Sequence, residues 1–600
     1  MDKKNTVIGA LFLAVAIGLL VWSSKFGPPS PPAPQLLKPG TGDITTRGNQ
    51  ARGPAESSLP GTSPSNATFT ALAHDNEGEK IITLSNEFIE VHFTDFGGAI
   101  KEVALKKYPE VKGRTEPFTF NRQHAEPILG FTHGTFPGLE KNVHYDVVSQ
   151  TDNEVVFHVI FENRVEVTRR YVLSPDSSPD NKTDPYQIRH EITFRNMTDQ
   201  TTPLPAASLS IGTATLVESN GSGQYLNVGY NDAKDIHFFD RAKLEGGGFL
   251  GFGKTGPVPM IETVTPVLWA AASSQFFTSI VTPDEPGVGV SIHRLELPAS
   301  AQGPTIGVAG AINLQVKPLA PNGESKLGMK LYVGPKEYKR LSNTEAFKKD
   351  EDKVMNFGFF KFFSQILLTI MTWVHGWTGN WGVAIILTTL LIKLGSLPFT
   401  IKAAKTSKRM QKLQPEMKAL NEKYKDNPQK RSQALMELYK ERGVNPVGGC
   451  FPMLIPLPFF FGFFRMLGTV SELRYADFLW VNDLMSPDTV ARIGTIPVNI
   501  LPLILGATMI VQMRLVPQPS LETEQSQMTA KMMKFMPMFY VVFAYNMPCA
   551  ISLYSTINGL FTIGQQLMIN RMKDTDVAPV APVGKGKVTK NVTPSKKKAS

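Results

Sequence analysis

The residue best placed to do chemistry in this chain is Lys393, because everything around it suits lipid. Trp381 to Ile401 reads WGVAIILTTLLIKLGSLPFTI. A charged side chain near the bilayer centre costs about 2.5–3.5 kcal/mol even on lenient insertion scales, so it is rarely kept without a reason. Such a charge normally finds a partner, yet the four other apolar spans of the C-terminal half contain no Asp or Glu between their ends. Lys393 is therefore either hydrated in a cavity or awaiting an acidic group from another molecule. Both options imply a hydrophilic site inside a membrane. Thr389, Lys393, Ser396 and Thr400 stand at i, i+4, i+7 and i+11, one polar stripe down a single helix face. The last apolar segment offers Ser552, Tyr554, Ser555, Thr556, Asn558, Gln565 and Gln566, and the one before it offers Asn546. A lone polar residue in a membrane helix is usually interhelical glue, whereas a stripe around an unpaired charge points to a wet groove.

Other chemistries find less support. Gly248 to Thr255 matches the phosphate-loop pattern G-x4-G-K-[ST], but that loop needs a helix after it to aim amides at phosphates. Here Pro257, Pro259 and Pro266 follow and forbid one, so a glycine-rich connection between strands is expected. The histidines are scattered without metal-ligand spacing. The 2 cysteines, Cys450 and Cys549, both sit in apolar segments, which excludes a paired-Cys metal site and a disulfide framework. No cofactor and no catalytic role are expected.

The chain must position Lys393 with two unlike parts. Residues 26–356 hold 31 Lys/Arg against 38 Asp/Glu; the remainder holds 31 against 14. Halves of opposite net charge suggest separate compartments. Residues 1–26 carry Lys3 and Lys4 before the apolar run Val7–Trp22, with no small-x-small cleavage site, and read as an uncleaved membrane anchor rather than a removed signal peptide. Residues 27–79, rich in Pro, Gly and Ser, read as a linker. From 80 to 340 the pattern is period two: Ile89, Val91 and Phe93, Val165 and Val167, then Ile188, His190, Ile192 and Phe194 alternate with polar residues. Short alternating runs between Gly/Pro/Asn/Asp turns predict an antiparallel β-sandwich.

Beyond residue 356 the chain is a polytopic α-helical membrane domain. Spans are expected over 381–401, 447–471, 496–513, 531–549 and 550–570, each near the length needed for about 30 Å of hydrocarbon. With the anchor they make six transmembrane helices. Residues 357–377 are also apolar, but if they crossed, parity would put loop 402–446 outside. That loop holds 12 Lys/Arg against 5 Asp/Glu, and basic loops stay in the cytoplasm. The 357–377 segment, broken by Lys361 and Gln365, is therefore read as an amphipathic interfacial helix. Within the loop, Met410, Leu413, Met417, Leu420 and Tyr424 form an apolar seam, and Asp426-Asn427-Pro428 breaks it before a second helix. This is a cytoplasmic helical hairpin. Its basic flanks suit lipid phosphates or ribosomal RNA as well as plain solvent. The tail 571–600 holds 8 Lys/Arg against 2 Asp and agrees with cytoplasmic termini. On this topology Lys393, about 18 Å from the outer end of its helix at ~1.5 Å per residue, lies past the midplane on the cytoplasmic side.

At this point the residues resemble a known family. The segment 445–458, NPVGGCFPMLIPLP, is similar to the signature that follows the hairpin in the YidC/Oxa family of membrane protein insertases. So are LQP at 413–415, LYK at 438–440, SELR at 471–474, FMP at 535–537 and LY with QQ at 553–566. The order of anchor, external domain, interfacial helix, hairpin and five-helix core matches the Gram-negative members. In that family the first core helix carries a positive residue, usually Arg, in an inner-leaflet groove, and Lys393 occupies that place. Two departures stand out: Tyr554 is followed by Ser555 where the family often has a second tyrosine, and its Pro-Ser-Gly reads Pro548-Cys549-Ala550. The resemblance implies an inner-membrane insertase and chaperone that works without ATP, alone or with the Sec translocon. Its partners would be nascent membrane proteins, ribosomes and lipids. The groove would include Lys393, Thr389, Ser396, Asn546, Tyr554, Ser555 and Asn558. The external domain resembles the family's galactose-mutarotase-like supersandwich. Arg465 and Glu472, seven residues apart on one expected helix face, read as a structural pair. A transporter or channel with an intramembrane lysine is the alternative, weakened by the lack of an inverted repeat. A carbohydrate-acting external enzyme rests on fold alone, and fold does not carry function.

Overall fold

The computed structural model describes residues 78–571, apart from 123–125, 133–142, 178–181, 218–222, 224, 250–251, 297–305, 349, 426, 443–455, 494–495, 516–534, 536 and 539. The expected anchor 1–26, all but the end of the linker, the signature residues 445–455 and the tail beyond 571 lie outside the described residues. The chain divides into two compact units. One runs to Asn356 and includes Thr469–Glu472; the other holds Phe357–Gly468 and the chain from Leu473 onward.

The first unit is an antiparallel β-sandwich. Nine strands form one sheet in the order 236–240, 227–231, 269–273, 277–283, 324–335, 187–196, 165–173, 154–161 and 146–150. Strands 260–267, 287–296, 306–314 and 207–215 form a second sheet, and 81–85, 89–94, 99–109 and 117–120 a third. The alternation read from the sequence is the packing pattern: Ile89, Val91, Phe93, Val165, Val167, Ile188, Ile192 and Phe194 are all buried. Ser279 ties the large sheet to the second by donating to the Ile211 carbonyl. The glycine-rich stretch is a β-hairpin, Gly247–Phe249 against Phe252–Thr255, which removes the structural basis for a phosphate loop.

His190, the polar member of its alternating run, explains itself in the core. Its ring stacks on Tyr171 at 4.0 Å between centroids, Nδ1 donates to the Arg170 carbonyl, and Nε2 accepts from the fully buried Arg169 at 3.3 Å. Burial, and then the Arg169 charge, hold this imidazole neutral, well below its ordinary pKa. Arg169 in turn donates to the carbonyls of Gly97 and Leu129, pinning two loops to the sheet.

The unit extends past residue 340. After a helical turn, Tyr338–Leu341, the chain crosses the large sheet as a strap that buries Ala346, Phe347, Val354 and Met355. Arg340 holds the start of the strap, donating to Glu337 at 2.9 Å and to Asp184 at 2.7 Å. Near its end, Glu351 is 3% exposed and accepts from Thr282 Oγ1 at 2.8 Å and the Lys348 amide at 3.2 Å. Lys330, Lys348 and Asp284 line the small cavity beside it.

In the second unit the helices include α1 Lys361–Thr378, α2 Trp381–Lys412, α3 Gln414–Lys423, α4 Pro428–Glu441, α5 Pro456–Leu467, α6 Ile500–Leu515 and α7 Cys549–Arg571. Among the described residues one helix, Trp381–Lys402 within α2, is long and apolar enough to cross a membrane; Leu457–Leu467 and Ile500–Leu515 are shorter apolar helices. Helix α7 has 23 residues, but its serines, threonines, asparagines and glutamines lower its hydropathy. Several boundaries differ from those expected. The segment 496–513 begins as a strand, Ile496–Asn499, paired with Thr489–Ile493, so its helix starts only at Ile500. Helix α2 continues through 402 to Lys412 because nothing between Pro398 and Leu413 breaks it, so the hairpin proper is α3 and α4. Arg442 pairs with Glu416 at 2.8 Å, Tyr439 meets Met417, and Asn427 caps α4 through the Lys430 amide. Helix α5 ends at Leu467, so Arg465 and Glu472 do not lie on one helix as expected.

Burial is the main cause that raises the Glu351 carboxyl to about 7, opposed by its hydrogen bonds and the nearby lysines. Its proton is thus held more tightly in the fold than in the unfolded chain. The resulting stabilisation is complete below about pH 4.3 and is lost as pH rises toward 7. Hydrogen exchange of the 344–356 amides in the full chain should quicken between pH 5 and 8. In Glu351→Gln the exchange, corrected for its intrinsic pH dependence, should not change over that range.

Candidate functional site

Helices α2 and α7 carry the polar seam. Lys393, half-buried on α2, donates from Nζ to Thr562 Oγ1 on α7 at 3.1 Å, and among the described residues it forms no ion pair. Thr562 donates its own hydroxyl hydrogen bond to the Asn558 carbonyl at 2.7 Å. Further along, Gln565 Nε2 donates to Thr400 Oγ1 at 2.6 Å, and Thr400 donates to the Leu397 carbonyl. Ser396 donates to the Lys393 carbonyl at 3.0 Å. The structure thus brings together Lys393, Ser396 and Thr400 from one helix with Asn558, Thr562 and Gln565 from the other. Thr562 was missed by sequence reading. It sits four residues after Asn558 and three before Gln565, so the helical period around those two residues was the signal.

Other expected site residues lie elsewhere. Thr389 is buried, and its hydroxyl is used on the Ile385 carbonyl one turn back. Tyr554 is buried with its ring stacked on Phe463 of α5, centroids 4.2 Å apart. Ser555 meets Tyr540 at 3.4 Å. These two precede Thr562 by eight and seven residues, about 10–12 Å along α7 at ~1.5 Å per residue. Asn546 is exposed in the turn before α7, so it does not belong with Lys393, which meets that helix about 20 Å further along. The expectation failed because the preceding helical segment ends at Ala544, leaving Asn546 in a connection.

The opposite end of the seam is tied shut by one segment. Residues 474–499 reach the first turns of three helices, where unpaired amides collect. Asn380, the residue before α2, donates to the Asp477 carbonyl at 3.2 Å. The Leu501 amide of α6 donates to Asp488 at 2.6 Å, a carboxylate at the favourable end of a helix dipole. The first amides of α7, Cys549 and Ala550, donate to the carbonyls of Ser486 and Leu484 at 2.9 Å each. Asp483 organises the turn, accepting from the Tyr475 and Met485 amides and from Ser486 Oγ. Small residues let the helices close up: Gly559 lies over Gln512 and Thr508 of α6, and Gly462 of α5 accepts from Ser364 of α1.

Residues 81–370 match the family model described as YidC periplasmic domain, and 373–576 match that of the 60Kd inner membrane protein. The membrane protein insertase YidC of Geobacter sulfurreducens is 30% identical over 499 residues, covering 81% of this chain and 85% of its own. The chain belongs to the YidC family. The insertase YidC of Prosthecochloris aestuarii is 28% identical over 96% of both chains. Such end-to-end similarity to insertases disfavours the transporter reading. Among solved structures, an active YidC insertase with its first transmembrane domain resolved aligns over 83% of this chain and 94% of its own, at 19% identity and a TM-score of 0.31. A galactose mutarotase related enzyme from Lactobacillus acidophilus aligns over 42% of this chain and 97% of its own, at 12% identity and 0.28. Scores of that size carry no argument. The identification rests on the sequence matches and makes this an inner-membrane protein with a β-sandwich periplasmic domain.

The tight α6–α7 contact is testable. A Cβ on Gly559 would come within 2.8 Å of Gln512 Nε2 and 3.0 Å of Thr508 Oγ1, whereas one on Gly564 meets nothing within 4 Å. Gly559→Leu should cost about 1–3 kcal/mol through overpacking. In detergent it should lower the melting temperature by several degrees, with Gly564→Leu close to wild type.

Proposed function

We propose that the seam between α2 and α7 is the hydrophilic groove of a membrane insertase, open toward the cytoplasm and lipid and closed at the outer face. The observation that carries this reading is the pairing of Lys393: an ammonium in an otherwise apolar helix, answered by one neutral hydroxyl. A site built only to bind helix to helix would gain more from a carboxylate, which would accept the hydrogen bond and also neutralise the ammonium. Leaving the ammonium without one keeps it available to acidic residues of an incoming polypeptide. Polar side chains in the seam shorten the apolar distance that a hydrophilic segment must cross, and no nucleotide is needed.

In this reading there are six membrane spans: the N-terminal anchor and the five expected from 381 to 570. Both termini lie in the cytoplasm and residues 27–356 in the periplasm. Helix α1, with Phe362, Ile366, Trp373 and Trp377 exposed along one side, lies in the outer interface. Nascent membrane proteins are the clients, received alone or together with the Sec translocon. The basic hairpin and the tail 571–600 meet ribosomes and anionic lipids through counterion release.

Lys393→Ala and Lys393→Glu should impair insertion of a client with an acidic translocated segment, and Lys393→Arg should keep it. Wild-type insertion by Lys393→Glu would refute the charge role. Deleting most of 80–320 should leave complementation of a depletion strain largely intact, whereas shortening 405–440 should abolish it; the reverse pattern would contradict the assignment. Truncation at 573 should weaken ribosome co-sedimentation at low salt and matter less at raised salt, where the charge contribution is already lost.

A further inference from the structure

Thr562 stands apart from the other polar groups of the seam because its hydrogen bonding leaves it one role toward Lys393. A threonine hydroxyl has a single proton and two lone pairs. That proton is committed to the Asn558 carbonyl at 2.7 Å, one turn back on the same helix. The hydroxyl oxygen therefore presents acceptor density alone to Lys393 Nζ, 3.1 Å away. An ammonium has three donors, so two remain for water or for a carboxylate from outside. Gln565 to Thr400 forms a second rung between the same helices. That rung fixes their spacing and so keeps Thr562 opposite Lys393.

We propose that Thr562 is the positioning residue of the groove: it parks the Lys393 ammonium, aimed and partly satisfied, and yields it when a client carboxylate arrives. The inference rests on the groove reading above. The strength of the holding contact is what matters. A neutral acceptor is weak enough for a carboxylate to outcompete. A carboxylate at position 562 would instead hold the lysine permanently, and an apolar side chain of the same shape would leave it unaimed. Thr562 thereby sets how strongly the groove distinguishes an acidic hydrophilic segment from a neutral one.

The test uses the full chain in proteoliposomes and two clients: a small membrane protein with one Asp in its translocated segment, and the same protein with that residue changed to Asn. The measured quantity is the ratio of acidic to neutral insertion, relative to the wild-type chain. A general loss of fold or insertion lowers both clients and cancels. Thr562→Val should lower the ratio roughly tenfold or more, the scale expected for one lost hydrogen bond to a charged group. Thr562→Asp should lower it to the Lys393→Ala level, and Thr562→Ser should restore it. The proposal is overturned if Thr562→Val or Thr562→Asp keeps the wild-type ratio, including the case in which both clients fall together. If Lys393→Ala itself leaves the ratio unchanged, the groove reading fails as well. If Lys393→Ala collapses the ratio while the Thr562 variants do not, the positioning role alone fails.

Discussion

A lysine ammonium set in an apolar helical stretch, with no counter-charge among the described residues, is the constraint on which the helical unit depends. Paired with a carboxylate it would be stable and inert; left bare in an apolar helix it would be too costly to keep. The chain takes a middle course. Thr562 supplies one neutral acceptor, and Ser396 and Thr400 turn their protons back onto their own helix. Among the described residues α7 provides this partner, so α2 and α7 run side by side in a set register. The Gln565–Thr400 rung and the Gly559 contact to α6 hold that register.

Register at one end requires anchoring at the other. Helices α2, α6 and α7 all begin where residues 474–499 gather, and that one segment answers the open amides of α6 and α7 while its Asp477 carbonyl takes Asn380. Asp483 and Asp488 differ from Lys393 in kind: Asp483 accepts from two amides and a hydroxyl, and Asp488 accepts from the Leu501 amide, each serving structure. The result is asymmetric. One end of the seam is knitted by backbone hydrogen bonds, and the other half is held by a few side chains that can exchange partners.

The periplasmic unit applies different physics. One of its buried charges, Arg169, is held by two carbonyls and a neutral imidazole of the same unit. In the strap after Leu341, the protonation of Glu351 is poised near neutrality, because burial raises its pKa while a hydroxyl and an amide hold the carboxyl.

Sequence alone determined what depends on local pattern. Period-two burial, as at Ile188, Ile192 and Phe194, gave the sandwich, because alternation has only one way to face a core. Lys393 declared itself because a charge in an apolar run is conspicuous without any coordinates. The family followed from motifs spread over 413–566. Tertiary structure decided what depends on facing elements. Thr562 is one threonine among several on α7 until the rotation of that helix is known. Thr389 and Tyr554, of the types expected in a groove, are buried in helix contacts, and Asn546 lies in a turn. The strand at Ile496–Asn499 hid inside an apolar run because Thr489–Ile493, its partner, looked like loop. In each case the missing information was which neighbour satisfies a hydrogen bond, and a linear pattern does not contain it.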